Sequence, residues 1–519
     1  MTAPRTGGSS VNAALLITGS TYITYALGLI VGAVIARRLG PADYGRYAFL
    51  VWFTGLLVVV TNHGFTTSGI RFVSEALGQG SQTAAAQVHG YLLKMQRFSA
   101  LVVVGLFLLA MVWVKPDEWA MSPWFFIGAA VLGTLARAAY VFDISIAKGY
   151  GIFSVEAYST LAVGFLNGAA AVVLALLDAS LLSFVALFAA AGMSMCVMAK
   201  AQLRRARVRA DFTRLDPTKM LEVRRHLMWT SLLVLVAVLG GRSIETFTLS
   251  VYLSPAHLGF FTLAGGLARG SIDLLTVGLS TVLMPAMGRA FGAGGKPRVH
   301  VIFNDSLRYF ACIGLMLAGI GVFWSSSLVS IMYGKQYVSV IPILATFQII
   351  GGLTLGEAAC GSLLATTGNQ STWAKVSCLS LIVSAILAPL LIKQYGVTGA
   401  VVSVATARVL TFGVLLGVVI RGQAVALPGK ALRRLCAAAA LAALVAAPAA
   451  LFLPALPGHI MAGFIYLSVF AALSVIFRAW LPADADLLLA VSKRFPRALK
   501  AFAPALRRWR SRLGSEADP

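Results

Sequence analysis

The chain has 519 residues, of which 59% are hydrophobic and 12% are charged, and it carries a net charge of +24 at pH 7. Water-soluble domains contain about 25% charged residues, so this composition excludes a soluble globular protein. The basic residues lie in short clusters between apolar stretches. The positive-inside rule for membrane proteins explains such clusters, and we expect no nucleic-acid partner.

The apolar stretches predict an all-α polytopic membrane protein, because a membrane-spanning helix needs about 20 apolar residues. About fourteen segments meet this requirement, at 11–36, 48–70, 92–114, 124–147, 153–177, 180–200, 227–252, 257–288, 307–332, 339–366, 372–392, 397–420, 432–453 and 458–480. We expect two six-helix lobes, two extra helices and a basic tail. The expected boundaries are 1–200 for the first lobe, 201–226 for a basic cytoplasmic loop, 227–420 for the second lobe, 421–480 for the extra helices and 481–519 for the tail.

A short motif occurs twice and predicts an internal duplication. Each copy follows one long apolar segment and leads directly into another, and duplicated helical bundles are common among transporters. The copies are LGPADYGRYAFL, with Leu39, Pro41, Ala42 and Gly45, and LSPAHLGFFTLA, with Leu253, Pro255, Ala256 and Gly259.

The distribution of arginines predicts the orientation in the membrane. The loop between the two lobes is rich in arginine and is expected to face the cytoplasm, which places both chain termini there. Arg37, Arg38 and Arg46 do not follow the rule, since they lie on the predicted outer side. In the tail, apolar residues such as Phe502 and Trp509 recur at helical spacing among basic residues. This pattern predicts an interfacial helix on anionic inner-leaflet lipids, with a disordered basic tail as the alternative.

Ionisable side chains near the middle of predicted spans are the candidate site residues. Each costs about 2.5–3.5 kcal/mol if it faces lipid, so they are expected to face the protein interior or a hydrated cavity. Two interpretations stay open: ion pairs that hold helices together, or a pathway with cationic groups for an anionic cargo. In the seventh and eighth spans an arginine precedes an acidic residue by three or four positions, so each pair shares a helix face. The candidates are Arg137, Asp143, Arg242, Glu245, Arg269, Asp273, Glu357 and Arg408.

Two further sets of polar residues admit two interpretations each. His63, in the second span, could relay protons or could be an ordinary hydrogen-bonded interior residue. The first span is rich in hydroxyl groups, which could line a cavity or bond to their own backbone carbonyls. These residues are Thr18, Ser20, Thr21, Tyr22, Thr24 and Tyr25.

The sequence gives no reason to expect a cofactor, a metal or an enzyme. All five cysteines lie inside apolar segments without close CxxC spacing, which argues against a zinc site. Around the segment FGAGGKP, the preceding Ala290 and the final Pro297 occupy the positions where a phosphate-binding loop needs glycine and serine or threonine. Movement of a cargo would therefore depend on a gradient or on consumption of the product.

The repeated L-[GS]-P-A-x-x-G-x-[YF] motif, together with YGVTGA at 395–400, resembles the polysaccharide-export branch of the multidrug/oligosaccharidyl-lipid/polysaccharide (MOP) flippase superfamily, the Wzx-type flippases. The resemblance covers residues 11 to about 420. It implies two MATE-like six-helix lobes around a cavity that opens alternately to the two sides of the bacterial cytoplasmic membrane.

The resemblance also implies the cargo and the roles of the candidates. The cargo would be an oligosaccharide on undecaprenyl diphosphate, a repeat unit of exopolysaccharide, capsule or O-antigen, and the expected partners are the polymerase and glycosyltransferases of the same pathway. Substrate contacts would come from Arg242 and Arg269, with Arg137 and Arg408 behind them. Ion pairing or proton coupling would come from Glu245, Asp273, Glu357, Asp143 and His63.

Three alternatives stay open. A cation-coupled multidrug exporter and a flippase of peptidoglycan precursor belong to the same superfamily as the Wzx-type flippases. A membrane-embedded polysaccharide polymerase or glycosyltransferase belongs to another class. Such enzymes usually have a sizeable outer loop, and the predicted outer loops of this chain are short.

Overall fold

The structure is a computed structural model that describes residues 8–113, 116, 119–453, 455–481 and 484. The predicted interfacial helix of the tail lies outside these residues. Within them the fold contains helices and no strand, which confirms the all-α prediction. The helices are α1 Gly8–Asn62, α2 Phe65–Gly78, α3 Gln82–Trp113, α4 Pro123–Gly149, α5 Ser154–Leu176, α6 Leu181–Arg205, α7 Pro217–Val238, α8 Ile244–Tyr252, α9 Pro255–Met332, α10 Val340–Leu353, α11 Glu357–Thr366, α12 Gln370–Gln423, α13 Gly429–Phe452 and α14 Ala455–Ile476.

Twelve helical stretches among the described residues are long and apolar enough to cross a membrane. Two of them, Gly19–Asn62 and Ser371–Gln423, are 44 and 53 residues long. Each is broken at a glycine with positive φ, Gly40 at 74° and Gly396 at 59°. Because one span needs about 20 residues, each of these stretches covers two predicted segments. The protein is a multi-pass membrane protein, and the predicted count of fourteen helices is not confirmed.

The first residues of several helices explain where those helices begin. Proline occupies the first position of α4, α7 and α9, where its fixed φ suits a helix and the missing N–H has no partner to lose. Asp216 caps α7: its carboxylate accepts hydrogen bonds from the backbone N–H of Lys219 at 3.2 Å and from the Thr218 hydroxyl. The Thr218 bond, followed by that of Lys219, holds the pKa of Asp216 below its ordinary value.

We expect Asp216→Ala to destabilise the start of α7 at neutral pH and to have a smaller effect in acid. Because the pKa of Asp216 is lower in the folded state, the charged cap contributes fully above the ordinary carboxyl pKa of about 4. That contribution is lost as the pH falls through the folded pKa. Thermal unfolding in detergent micelles at about pH 6 and about pH 3 measures the difference from the native chain. Asp216→Asn is the matched control, since asparagine caps a helix at either pH. An equal effect of Asp216→Ala at both pH values would contradict the prediction.

The described contacts divide the chain into two compact units. A core of unit 1 joins α2, α3, α4 and α7, where the rings of Phe72 and Phe142 are fully buried. A core of unit 2 lies where α13 packs on α14 around Tyr466 and Phe470. Close packing of this kind holds membrane helices together. The predicted lobe boundaries stay a prediction. Unit 1 is Met1–Gly270, Ser330–Ile343 and Ala374–Ala407; unit 2 is Ser271–Val329, Leu344–Trp373 and Arg408–Pro519.

Candidate functional site

Cavity 1 lies in unit 1 and has a volume of about 580 Å³. Residues 44–59 of α1 form one wall, residues 261–269 of α9 form another, and residues 237–246 around the end of α7 complete it. The lining combines aromatic rings, hydroxyl groups and two cations. These side chains include Tyr44, Tyr47, Trp52, Ser243, Thr246, Thr262, Arg242 and Arg269.

Arg242 lies at a break in the helix. Between α7 and α8, Gly241 has φ −94° and ψ 46°, and Arg242 has φ 75° and ψ 4°. A left-handed φ costs a residue other than glycine about 1–2 kcal/mol. Arg242 Nη2 donates a hydrogen bond to the Gly265 carbonyl at 3.1 Å, and Gly265 has no side chain that would occupy the space of the guanidinium. The expectation that Arg242 shares a helix face with Glu245 is wrong, because the helix is interrupted at Arg242.

Glu245 follows the break and is fully buried, with an exposed fraction of 0%. Its Oε1 accepts a hydrogen bond from the Ser403 hydroxyl at 3.0 Å. Its Oε2 is buried with no hydrogen-bond partner among the described residues. Burial of a carboxylate with one oxygen unsatisfied is costly, whereas the protonated form is much less so. The coupling role predicted for Glu245 stays a prediction.

Cavity 2 adjoins cavity 1 and has a volume of about 430 Å³. The two cavities share Arg269, which therefore borders both, as well as Tyr44, Thr262 and Gly266. Of the two interpretations of the hydroxyl groups in the first helix, the structure shows cavity lining for four residues. These are Ser20, Thr21, Thr24 and Tyr25.

Arg137 lies behind the wall of cavity 1. Its guanidinium carbon lies 4.1 Å from the centroid of the Phe188 ring, and its Nη2 lies 3.4 Å from the Phe188 carbonyl oxygen. Phe188 in turn contacts the cavity residue Tyr47, with ring centroids 6.2 Å apart. Arg137 lines neither cavity 1 nor cavity 2. It can support the position of Tyr47 through Phe188.

Asp143 and His63 also lie in unit 1 and line neither cavity. Asp143 is buried, with an exposed fraction of 7%, and its Oδ2 has no hydrogen-bond partner in the described part of the chain. His63 Nδ1 lies 2.7 Å from the Val60 carbonyl oxygen, and its ring contacts Phe65. These contacts suit a hydrogen-bonded interior histidine, and a coupling role for either residue stays a prediction.

The remaining candidates lie in unit 2. Arg408 Nη1 is 3.8 Å from Glu357 Oε2, so the structure brings these two predicted residues together. Both side chains are partly exposed, and such pairs contribute about 0–1 kcal/mol. Asp273 lies on α9, two residues after Ser271, whose hydroxyl accepts a hydrogen bond from Gln348 at 2.6 Å. The roles predicted for these residues stay predictions.

Several residues of the site were missed by sequence reasoning. Tyr44 and Tyr47 lie within the first motif copy at helical spacing, and that spacing could have indicated a common face. Ser403 gave no signal, because its contact with Glu245 joins positions 158 residues apart. A serine in an apolar helix has no pattern of its own that identifies such a distant partner.

The chain matches the family model described as polysaccharide biosynthesis protein over residues 34–342, which is more than half of its length. No curated protein matches it in sequence. The match includes both motif copies and the residues that line cavity 1.

Solved structures match between 78% and 89% of the chain at low identity, which shows the fold alone. A lipid II flippase, MurJ, in an inward closed conformation has a TM-score of 0.72 at 14% identity and covers 89% of this chain and 98% of its own. An inward-facing multidrug resistance MATE family transporter has a TM-score of 0.65 at 12% identity, and the match covers 78% of this chain and 95% of the transporter. A MOP superfamily transporter from Pyrococcus furiosus has a TM-score of 0.56 at 11% identity, and the match covers 80% of this chain and 98% of the transporter. The chain belongs to the polysaccharide biosynthesis protein family and has the fold of the flippases and transporters of the MOP superfamily.

Proposed function

We propose that this protein is a flippase that moves an undecaprenyl-diphosphate-linked oligosaccharide from the inner to the outer leaflet of the bacterial cytoplasmic membrane by alternating access. The termini would lie in the cytoplasm. The observation that carries the proposal is the lining of cavity 1, which holds Arg242 and Arg269 and, among the described residues, no acidic side chain.

Two guanidinium groups suit a diphosphate. Arginine presents several N–H donors in a planar fork that matches phosphate oxygens, and such charge-assisted hydrogen bonds are about twice as strong as neutral ones. A cavity with Arg242 and Arg269 and without acidic lining would repel a cationic drug. This charge favours the lipid-linked glycan over a cation-coupled exporter of cationic compounds.

The rest of the lining suits sugars. The rings of Tyr44, Tyr47 and Trp52 are amphipathic surfaces with a polar atom at one edge, and the hydroxyls of Thr246 and Thr262 can donate and accept hydrogen bonds. The sugars and diphosphate would cross inside the hydrated cavities while the polyprenyl chain stays in lipid. This route avoids most of the cost of moving a polar headgroup through hydrocarbon.

Energy coupling is assigned to buried or paired acidic groups. Glu245 is the first choice because it is buried with one unsatisfied oxygen, and Asp143 shares that property. The secondary candidates for energy coupling are the Glu357–Arg408 pair, Asp273 and His63. Arg137 would support the cavity wall. The polymerase and glycosyltransferases of the same glycan pathway would be the functional partners.

The proposal is tested in cells that make a lipid-linked glycan with this protein as their flippase. We expect Arg242→Ala and Arg269→Ala each to reduce export about 10- to 100-fold, the loss of one charged hydrogen-bonding group. Lipid-linked oligosaccharide should accumulate on the cytoplasmic face. Arg225→Ala, which removes an exposed arginine, is the matched control.

Normal export in the stably expressed double variant would overturn the proposed contacts. Rescue of cell-wall synthesis by the native chain would instead favour a peptidoglycan-precursor flippase. Resistance to cationic dyes would favour a multidrug exporter. A changed glycan chain length with normal translocation would favour a polymerase or glycosyltransferase.

A further inference from the structure

The two copies of the repeated motif contact each other reciprocally. A Cβ atom on Gly45 would overlap the carbonyl group of Pro255. A Cβ atom on Gly259 would lie 2.9 Å from the Pro41 carbonyl oxygen and 3.1 Å from the Gly45 Cα. Each motif glycine therefore packs against the proline of the other copy, and both positions need glycine. Small residues allow two membrane helices to approach this closely.

This crossing lies at one end of cavity 1. The walls of the cavity begin at Tyr44 in the first copy and at Phe261 in the second, and they continue along α1 to Val59 and along α9 to Arg269. The helical segments that begin at Pro41 and Pro255 are therefore in contact at their first turns, and they enclose the cavity farther along. We call the end of unit 1 formed by residues 36–46, 253–260 and 331–337 the motif face.

Hydrogen bonds join α1 to the last turn of α9 and to the segment after it at the same face. Arg37 Nη2 donates to the Ile331 carbonyl at 2.7 Å, and Gln336 Nε2 donates to the Arg37 carbonyl at 3.2 Å. Tyr337, fully buried, donates its hydroxyl hydrogen to the Ala36 carbonyl at 2.7 Å.

Tyr337, which makes one of these hydrogen bonds, also belongs to an aromatic cluster. The Tyr337 ring contacts Tyr44 and Phe260 edge to face, with ring centroids 6.2 Å and 6.1 Å apart. Tyr333 also contacts the Tyr337 ring, with ring centroids 5.8 Å apart. Burial raises the pKa of Tyr337, so its phenol remains protonated and able to donate at neutral pH. One member of the cluster, Tyr44, also lines both cavities.

The arginines that disobey the positive-inside rule have local partners at this face. Arg37 binds a carbonyl in the last turn of α9, a position where the helix dipole favours a cation. Arg38 Nε lies 3.4 Å from the Asp178 carboxylate, and Arg46 pairs with Asp43. Arg37 and Arg46 therefore serve contacts within the motif face, and Arg38 serves a contact between that face and Asp178, which gives these charges a reason to lie away from the basic loop.

We propose that the duplicated motif is a latch that closes cavity 1 at the motif face and separates when the cavity opens there. The Gly45–Gly259 crossing forms the seal, and the bonds of Arg37, Gln336 and Tyr337 hold it shut. The contacts consist of a few hydrogen bonds and a glycine crossing, so they can break without leaving a buried charge unpaired. This inference does not depend on the identity of the cargo.

The test measures access to cavity 1 from each side. Val51, which lines the cavity, is changed to cysteine, and a membrane-impermeant maleimide is added to either side of vesicles that contain the full chain. We expect little labelling from the motif face and ready labelling from the opposite side. The same chain without Val51→Cys gives the background from the five native cysteines.

Adding Gly45→Ala should raise labelling from the motif face about tenfold. The extra methyl group overpacks only the closed state and so shifts the population toward the open state. Gly105→Ala is the matched control, since nothing lies within 4 Å of a Cβ atom at that helical glycine. Tyr337→Phe keeps the ring contacts and removes one hydrogen bond, so it should fold normally and raise labelling about fivefold.

Equal labelling from the motif face in the parent, Gly45→Ala and Tyr337→Phe chains would overturn the latch. Ready labelling of the parent from the motif face would overturn it as well. Neither measurement uses a cargo, so failure of the proposed transport function would leave this result unchanged.

Discussion

Replacing Arg308 with leucine is expected to lower the free energy of unfolding by about 3–5 kcal/mol, the cost of removing one partner from a buried ion pair. Arg308 Nη2 lies 2.7 Å from Asp484 Oδ1 and 3.2 Å from Asp305 Oδ1. The side chains of Arg308 and Asp484 are only 3% and 5% exposed. Tyr309 donates a further hydrogen bond to Asp484. Without the guanidinium, the Asp484 carboxylate would remain buried without a counter-charge.

Unfolding by heat or denaturant in detergent micelles measures this effect. Arg308→Leu with Asp484→Leu should lose less stability than the sum of the two single changes, because the double variant leaves no unpaired charge. Arg298→Leu, at an exposed position on the same helix, is the control and should change stability by less than about 0.5 kcal/mol. Additive effects of the two single changes would show that the pair is not coupled.

Under the proposed coupling role of Glu245, Glu245→Gln is expected to remove a dependence of transport on a proton gradient. Glutamine has the size of a protonated glutamate and can keep the hydrogen bond with Ser403, but it cannot exchange a proton. A coupling free energy of 1–3 kcal/mol corresponds to a loss of about 5- to 150-fold in gradient-driven rate. The measurement is the rate of glycan export in cells or vesicles with and without an imposed pH difference.

The control for this substitution is Glu222→Gln, which removes a partly exposed carboxylate that pairs with Lys219 and Arg71. It should leave the response to the gradient intact. If Glu245→Gln responds to the gradient as the native chain does, Glu245 is not the coupling group. Asp143 is then the next residue to replace, since it is also buried with an unsatisfied oxygen.

The helical class and the duplicated motif could be predicted from the sequence because both depend on local patterns. Long apolar runs specify spans, and Gly45 and Gly259 recur at matching places in two copies of one motif. The reciprocal contact between these glycines could not be predicted. It depends on how two distant helices cross, and a glycine gives no sign of which neighbour approaches it.

The candidate site was predictable in part. Arg242 and Arg269 were identified because a charged side chain inside an apolar segment is costly unless it faces the protein interior or a hydrated cavity. Both line cavity 1. The break at Arg242 was not predicted as a left-handed residue, although Gly240 and Gly241 precede it. Asp484 lies in a region interpreted as tail, 176 residues from Arg308, and no spacing connects the two.

The crossing of the motif copies has the symmetry of a homodimer interface. In a twofold dimer the same patch lies on both sides, so that residue i meets residue j and j meets i. Pro41 with Gly259 and Pro255 with Gly45 repeat this relation inside a single polypeptide. Because one polypeptide carries both copies, the local concentration of each copy around the other is high and permanent.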